Sequence, residues 1–219
     1  MGRILIATWV LSAAATSFGQ VYASIRAKVL DEKDEPVRGA IVEAMPTGGI
    51  SGAIPWCKSD ESGSCAISPG NLGSFTVTAS KEEDGYPKQT MYFYAAVNSK
   101  PEIVILSHEQ PAQSTLVHLG KKGGILIGTV ADAKTGKPLN ANAEFRWVSD
   151  PRIFLSGSGL TNARFRILVP PDVAVTMVVS LDGYENWSYS LGRGELRNAI
   201  LLRPGEELAL DLRLRPKGE

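Results

Sequence analysis

Along most of the chain, apolar and polar residues alternate one by one. Ser24-Ile25-Arg26-Ala27-Lys28-Val29, Phe75-Thr76-Val77-Thr78-Ala79, Ala163-Arg164-Phe165-Arg166-Ile167 and Leu208-Ala209-Leu210-Asp211-Leu212-Arg213-Leu214 all follow this pattern. A period of two sends one set of side chains to a core and the other to water, so these runs predict half-buried strands. The separators DEKDEP, PTGG, SDESG, SPGN, ADAKTGKP, VPPD and RPGEE are rich in Gly, Pro, Asp and Asn. Short strands with a turn signal every roughly 8–12 residues predict an all-β sandwich.

The N-terminus breaks the pattern. Arg3 precedes the apolar run Ile4–Val10, which continues through Leu11-Ser12-Ala13-Ala14-Ala15 to small residues at Ser17 and Gly19. One charge, a short apolar run and small residues before a cleavage point predict a signal peptide over residues 1–19 rather than a membrane anchor. A second cleavage reading puts Val21 and Ala23 at the small positions. No later stretch approaches the ~18 apolar residues of a membrane span. The expectation is an exported chain, secreted, periplasmic or associated with the cell envelope, with no transmembrane segment after cleavage.

Comparing the chain with itself shows a repeat. Val29-Leu30-Asp31 followed by Pro36-Val37 and Ala40 is answered by Val130-Ala131-Asp132 followed by Pro138-Leu139, Ala141 and Ala143. Asp84-Gly85-Tyr86 is answered by Asp182-Gly183-Tyr184, and Leu116–Leu119 by Leu210–Leu214. A duplication of ~100 residues implies two copies of one unit. The expected domains are 20–120 and 125–219, joined end to end by the short linker Lys121–Gly124.

Asp31, Pro36-Val37-Arg38-Gly39-Ala40, Ser59-Asp60-Glu61-Ser62-Gly63-Ser64-Cys65, Gly73–Ala79 and Gly85-Tyr86 together resemble the carboxypeptidase regulatory-like domain. The second half keeps Gly128-Thr129-Val130, Thr135-Gly136-Lys137-Pro138-Leu139 and Gly183-Tyr184. Its nearest substitute for the Asp-x-x-Gly loop is Thr161-Asn162-Ala163-Arg164-Phe165. The resemblance implies two tandem antiparallel β-sandwiches, Ig-like and transthyretin-like, of a kind appended to enzymes without being catalytic themselves. It also implies that Cys65 occupies a core-facing apolar position.

Composition narrows the functional classes. At 43% hydrophobic and 21% charged residues the 219-residue chain has the make-up of a globular protein. Basic and acidic side chains balance at 23 each, leaving no excess to attract nucleic acid. Residues 20–120 carry 8 basic and 12 acidic groups and residues 121–219 carry 14 and 11, a weak, salt-sensitive attraction between halves. Cys57 and Cys65 are the two cysteines. Outside the cytosol such a pair tends to oxidise, and two thiols without nearby histidines are too few for zinc. If Ser59–Gly63 forms a tight hairpin loop, Cys57 faces Cys65 with Cα atoms about 4.5 Å apart, within disulfide reach. Closing that loop stabilises by about 2.6 kcal/mol in the chain-entropy model, less any strain.

Candidate chemistry is sparse. Asp31–Glu35 and Glu82-Glu83-Asp84 lack the alternating ligands of a calcium loop and are expected to be solvated turns. Neither a nucleophile elbow nor a His-Glu-x-x-His pair occurs; Gly157-Ser158-Gly159 is expected to be a loop. His118 alternates with Val117 and Leu119 and should point outward. No catalytic residue, metal site or cofactor is expected. Tyr184, Trp187 and Tyr189 form one candidate ligand-stacking surface, and Tyr92 with Tyr94 another; Trp187 with Tyr189, and Tyr92 with Tyr94, are two apart and so share a strand face. The competing expectation places these rings on the inner face of the sandwich, where strands enrich Tyr and Trp anyway. Trp56 and Trp147 are expected in the core. The functional expectation is a non-catalytic exported module presenting loops to a protein or cell-surface partner. The alternatives are a carbohydrate-binding module and an accessory subunit of an exported enzyme.

Overall fold

The structure, a computed structural model, describes residues 22–49, 52–88, 93–98, 100–160, 164–190 and 197–218. The segment read as a signal peptide, Tyr92 and Thr161-Asn162-Ala163 lie outside these residues. Among them nearly all of the regular secondary structure is strand. The first half contains β1 (Ser24–Leu30), β2 (Ile41–Pro46), β3 (Trp56–Lys58), β4 (Ser64–Ile67), β5 (Gly73–Ser80), β6 (Glu102–Leu106) and β7 (Ala112–His118). The second contains β8 (Gly124–Asp132), β9 (Ala141–Trp147), β10 (Phe154–Leu160), β11 (Arg164–Val169), β12 (Val175–Ser180), β13 (Trp187–Ser188) and β14 (Glu207–Leu214).

Each half has the same topology. The first builds sheets β4-β1-β7 and β3-β2-β5-β6; the second builds β11-β8-β14 and β10-β9-β12-β13. All pairings are antiparallel except β1 with β7 and β8 with β14, which run parallel. Even the small bridges repeat, Leu30 with Pro36 in one half and Ala131 with Pro138 in the other.

The alternation sets which side chains enter the core. In β1, Ile25, Ala27 and Val29 are buried while Arg26 and Lys28 face water. In β14, Leu210, Leu212 and Leu214 are buried between exposed Asp211 and Arg213. Buried side chains fall into two clusters. One is drawn from residues 23–119, the other from residues 93–214. The overlap is informative. Between β5 and β6 the chain makes a short helix, α1 (Tyr94–Val97), and buried Phe93, Ala96 and Val97 pack with the core of the second half. Glycine permits the closest strand approach: at Gly128 a Cβ would stand 2.0 Å from the Leu210 carbonyl oxygen, so any side chain would push β14 off β8.

The junction is short and bonded on both sides. The Gly123 N–H donates to the Gly85 carbonyl at 2.8 Å, and the Gly123 carbonyl accepts from the Gly205 N–H at 2.9 Å. Arg166 donates to the Glu82 carbonyl at 2.7 Å, on a 3₁₀ turn over Glu82–Asp84. The Lys122 ammonium lies 5.2 Å from the centre of the Tyr86 ring.

Four sequence expectations need correction. Trp56 is 61% exposed rather than core, because Cys57 takes the inward position of the three-residue β3. Gly157-Ser158-Gly159 lies inside β10, where the register with β9 shifts between Leu155 and Ser158. Tyr94 begins α1 and is not in a strand. Ser59–Gly63 does not close a hairpin, since β3 pairs with β2 and β4 with β1. Trp147, by contrast, is in the core, and His118 faces out with its ring 3.2 Å from the Asp34 carboxylate.

Candidate functional site

Three local constructions carry the polar chemistry of the described residues. The first is the segment from β3 to β4. Cys57 pairs with Val42 on β2 and Cys65 with Ala27 on β1, so the two cysteines belong to opposite sheets. They form a disulfide with a Cα separation of 6.0 Å. The bond therefore clips the two layers together instead of pinning a hairpin, and both cysteines are partly buried against the core. The connecting arch is held from within. Buried Ser59 donates its hydroxyl to the Val37 carbonyl at 2.6 Å and accepts the Ala40 N–H at 2.9 Å. Asp60 Oδ1 accepts from the Ser62 N–H, the Ser62 hydroxyl and the Ser64 N–H. The Ser62 hydroxyl first, and then these backbone donors, hold the Asp60 carboxyl below its usual range. Gly63 turns the chain at φ +77°, where a Cβ would meet the Val29 carbonyl at 2.6 Å. A disulfide of this kind fits an oxidising, extracellular setting.

The second construction occurs twice. After β8, Asp132 Oδ1 accepts the Thr135 and Lys134 N–H groups at 2.7 and 2.9 Å, while Oδ2 accepts the Tyr184 hydroxyl at 2.8 Å. The Thr135 N–H and the Tyr184 hydroxyl lower the Asp132 pKa to about 2. Hydrogen bonding to the Asp132 carboxylate in turn raises that of Tyr184. In the first half, Asp31 Oδ1 accepts the Lys33 and Glu35 N–H groups at 2.8 and 3.0 Å. There the Tyr86 phenol is pushed up by burial and by a hydrogen bond to Glu32. The Gly-Tyr motifs thus fasten the turn after each first strand. They are structural latches.

The third is a cleft between the segment Glu185–Ser190 and the end of β14. Trp187 pairs with buried Val179, so its ring points inward; Tyr189 has the same parity and is only 8% exposed. The expected stacking platform of Tyr184, Trp187 and Tyr189 is not assembled as one exposed face, because Tyr189 fills core space and Tyr184 is latched to Asp132. Trp187 remains half-buried against the core and also lines a cleft of about 320 Å³. Across from it, on the other sheet, stand Arg213 and Arg215, with Glu185, Asn186, Ser188 and Ser190 completing the wall. The Glu185 N–H donates to the Arg215 carbonyl at 2.8 Å, which closes one end. Arg213 is paired with Asp211 at 3.0 Å, and Arg213 first, then the Thr129 hydroxyl, keep the Asp211 pKa low. The meeting of Trp187 with the two arginines was not readable from sequence. Some 26 residues separate them, and no local periodicity relates one edge strand to the edge of a different sheet. No group of three or more His, Cys, Asp or Glu suited to a metal ion occurs among the described residues. No helix among them is long and apolar enough to cross a membrane.

No family model matches the chain, and no curated protein matches it in sequence. Solved structures similar to it include the Bacillus anthracis TIE protein (14% identity, TM-score 0.34, 89% of this chain and 34% of that one). The chain thus spans about a third of the length of that protein. The shaft pilin SpaA from Lactobacillus rhamnosus GG matches at 9% identity and TM-score 0.34, with 90% of this chain and 99% of that one covered. GBS52, the minor pilin of Streptococcus agalactiae, matches at 9% identity and TM-score 0.34, over 90% and 97%.

Proposed function

We propose that the chain is a non-catalytic, exported binding and presentation module, built from two tandem β-sandwiches over residues 20–120 and 125–219. In kind it is close to the carboxypeptidase regulatory-like domains that its motifs resemble. The observation that carries this is the strand-for-strand repetition of one seven-stranded order, each copy with its own buried cluster. Nearly all of the chain is spent on scaffold, and the polar networks around Asp60, Asp132 and Ser59 satisfy turns. Loops and sheet edges are what such a scaffold offers to a partner. The inter-sheet disulfide supports service outside the reducing cytosol.

Two measurements test the reading together. Labelled protein, purified in its oxidised form, should be retained on intact cells or isolated envelope of its source, and heat-unfolded protein should not. Retention equal for the folded and unfolded forms, or a cytosolic location with both thiols reduced, overturns it.

A further inference from the structure

We infer that β6 is a self-pairing edge through which two copies of this chain associate, antiparallel, into one continuous sheet of eight strands. β6 is the last strand of the sheet β3-β2-β5-β6 and pairs there with β5 alone. Val104 and Leu106 are buried, as alternation requires, yet the outward positions carry Ile103 and Ile105, 65% and 64% exposed. Their neighbours across on β5 are Thr76 and Ser74, which offer them little apolar cover. Elsewhere the sheet edges carry guards against pairing. β3 and β13 are three and two residues long, a register shift interrupts β10, and β11 exposes two arginines. β6 has none of these, and no proline or lysine falls within Glu102–Leu106. The second half does not reach it either. β5 leads towards the junction at Gly85, while Ile105 and Leu106 pair with Ser74 and Gly73 at its other end.

The strand itself specifies its occupant. In an antiparallel pair related by a two-fold axis, opposed residues lie on the same face, so the apolar pattern sets the register. With Val104 opposite its own copy, Ile103 of each chain faces Ile105 of the other, and all five residues of β6 find a place in the ladder. Moving the axis by one residue sets Ile105 against Pro101 or Ile103 against Ser107. The central register alone opposes every outward isoleucine to another, and a second β6 supplies that pattern. Such an interface is isologous and closes at two chains. Five residues a side make it small, in the weak class below about 1,200 Å². This goes beyond the presentation role, because it gives the first sandwich a partner of its own and offers each set of loops twice.

The test is sedimentation velocity of the purified, oxidised protein across a dilution series. Dimer should be present at roughly 100 µM chain and give way to monomer by about 1 µM, as a weak interface requires. Ile103→Lys and Ile105→Glu each change an exposed side chain and should each raise the dissociation constant about tenfold or more, since a charge then faces isoleucine twice in every dimer. Mixing the two variants should restore the dimer, because one pair becomes Lys with Glu and the other returns to Ile with Ile. That recovery also shows both variants to be folded. Trp56→Lys, on the same outer face at the opposite edge of the sheet, should leave the dimer unchanged. Three results overturn the proposal: a chain still monomeric at roughly 100 µM, a dimer indifferent to Ile103 and Ile105 or lost with Trp56, or variants that the mixture does not rescue. The measurement needs only the purified chain, so its failure leaves envelope retention standing, and the reverse.

Discussion

At Asp132 two turn amides and one phenol converge on a side chain only 6% exposed. These donors favour the ionised form and hold its pKa at about 2, against about 3.9 in an unfolded chain. A depressed carboxylate contributes stability that is complete above the unfolded value and is lost as pH falls towards the folded one. Denaturation midpoints should therefore hold above about pH 5 and fall between about pH 4 and pH 2. Tyr184→Phe removes one donor, so a carboxyl titration followed by NMR should show Asp132 protonating at higher pH than in the wild type. An unchanged titration would mean that the phenol contributes nothing to the latch. The repeated motif was plain in the sequence, as Asp132 and Tyr184 beside Asp31 and Tyr86. Its purpose was not, because residues 52 apart in sequence meet only after the sheets have formed.

Among the elements, the strands themselves were legible and their partners were not. Alternation in Ser24–Val29 and Leu208–Leu214 states which face is buried, and β1 and β14 bury those residues. It is silent on pairing, since a short strand with the same parity fits either layer. For Ser59–Gly63, turn chemistry suggested a hairpin. The structure instead uses Asp60 and Gly63 to send the chain across the sandwich, with β3 on one sheet and β4 on the other. Trp56 was misplaced for a related reason: on a three-residue edge strand, Cys57 claims the inward position. A clip between layers restrains sliding of one sheet over the other, which a hairpin staple would not. Cys57→Ser with Cys65→Ser should cost about 2–3 kcal/mol, set by the nine-residue loop. Denaturant midpoints of the oxidised protein should fall to those of the variant when reductant is added. Equal midpoints with and without reductant would show that the clip contributes nothing to stability.

On the scale of the whole molecule, two halves with the same strand order meet with only five residues between β7 and β8. Phe93 and Val97 leave the first half to pack with the second core, and Arg166 returns the contact at the Glu82 carbonyl. Cooperative melting follows from that exchange. Calorimetry should show one transition for the wild type, while Phe93→Ala, removing a buried aromatic worth about 3–5 kcal/mol, should separate it into two. Two transitions already present in the wild type would mean that the halves are independent. Nothing in the residues around Phe93 announced the crossing. Its neighbours Tyr92 and Tyr94 suggested another alternating strand, and only the tertiary structure makes α1 a bridge.

The parallel pairing of first and last strands in each half has a mechanical consequence. The chain enters at the start of β1 and leaves at the end of β7, which lie at opposite ends of the same parallel ladder. Tension applied to the two ends of the molecule therefore loads the seven pairings of β1 with β7, and the eight of β8 with β14, in shear. Evenly spaced hydrogen bonds along a parallel ladder share such a load and must yield together, whereas a peeled hairpin opens one bond at a time. Single-molecule stretching should record two rupture events of similar force, one per half. Gradual, low-force extension would contradict this picture of load shared along the two parallel ladders.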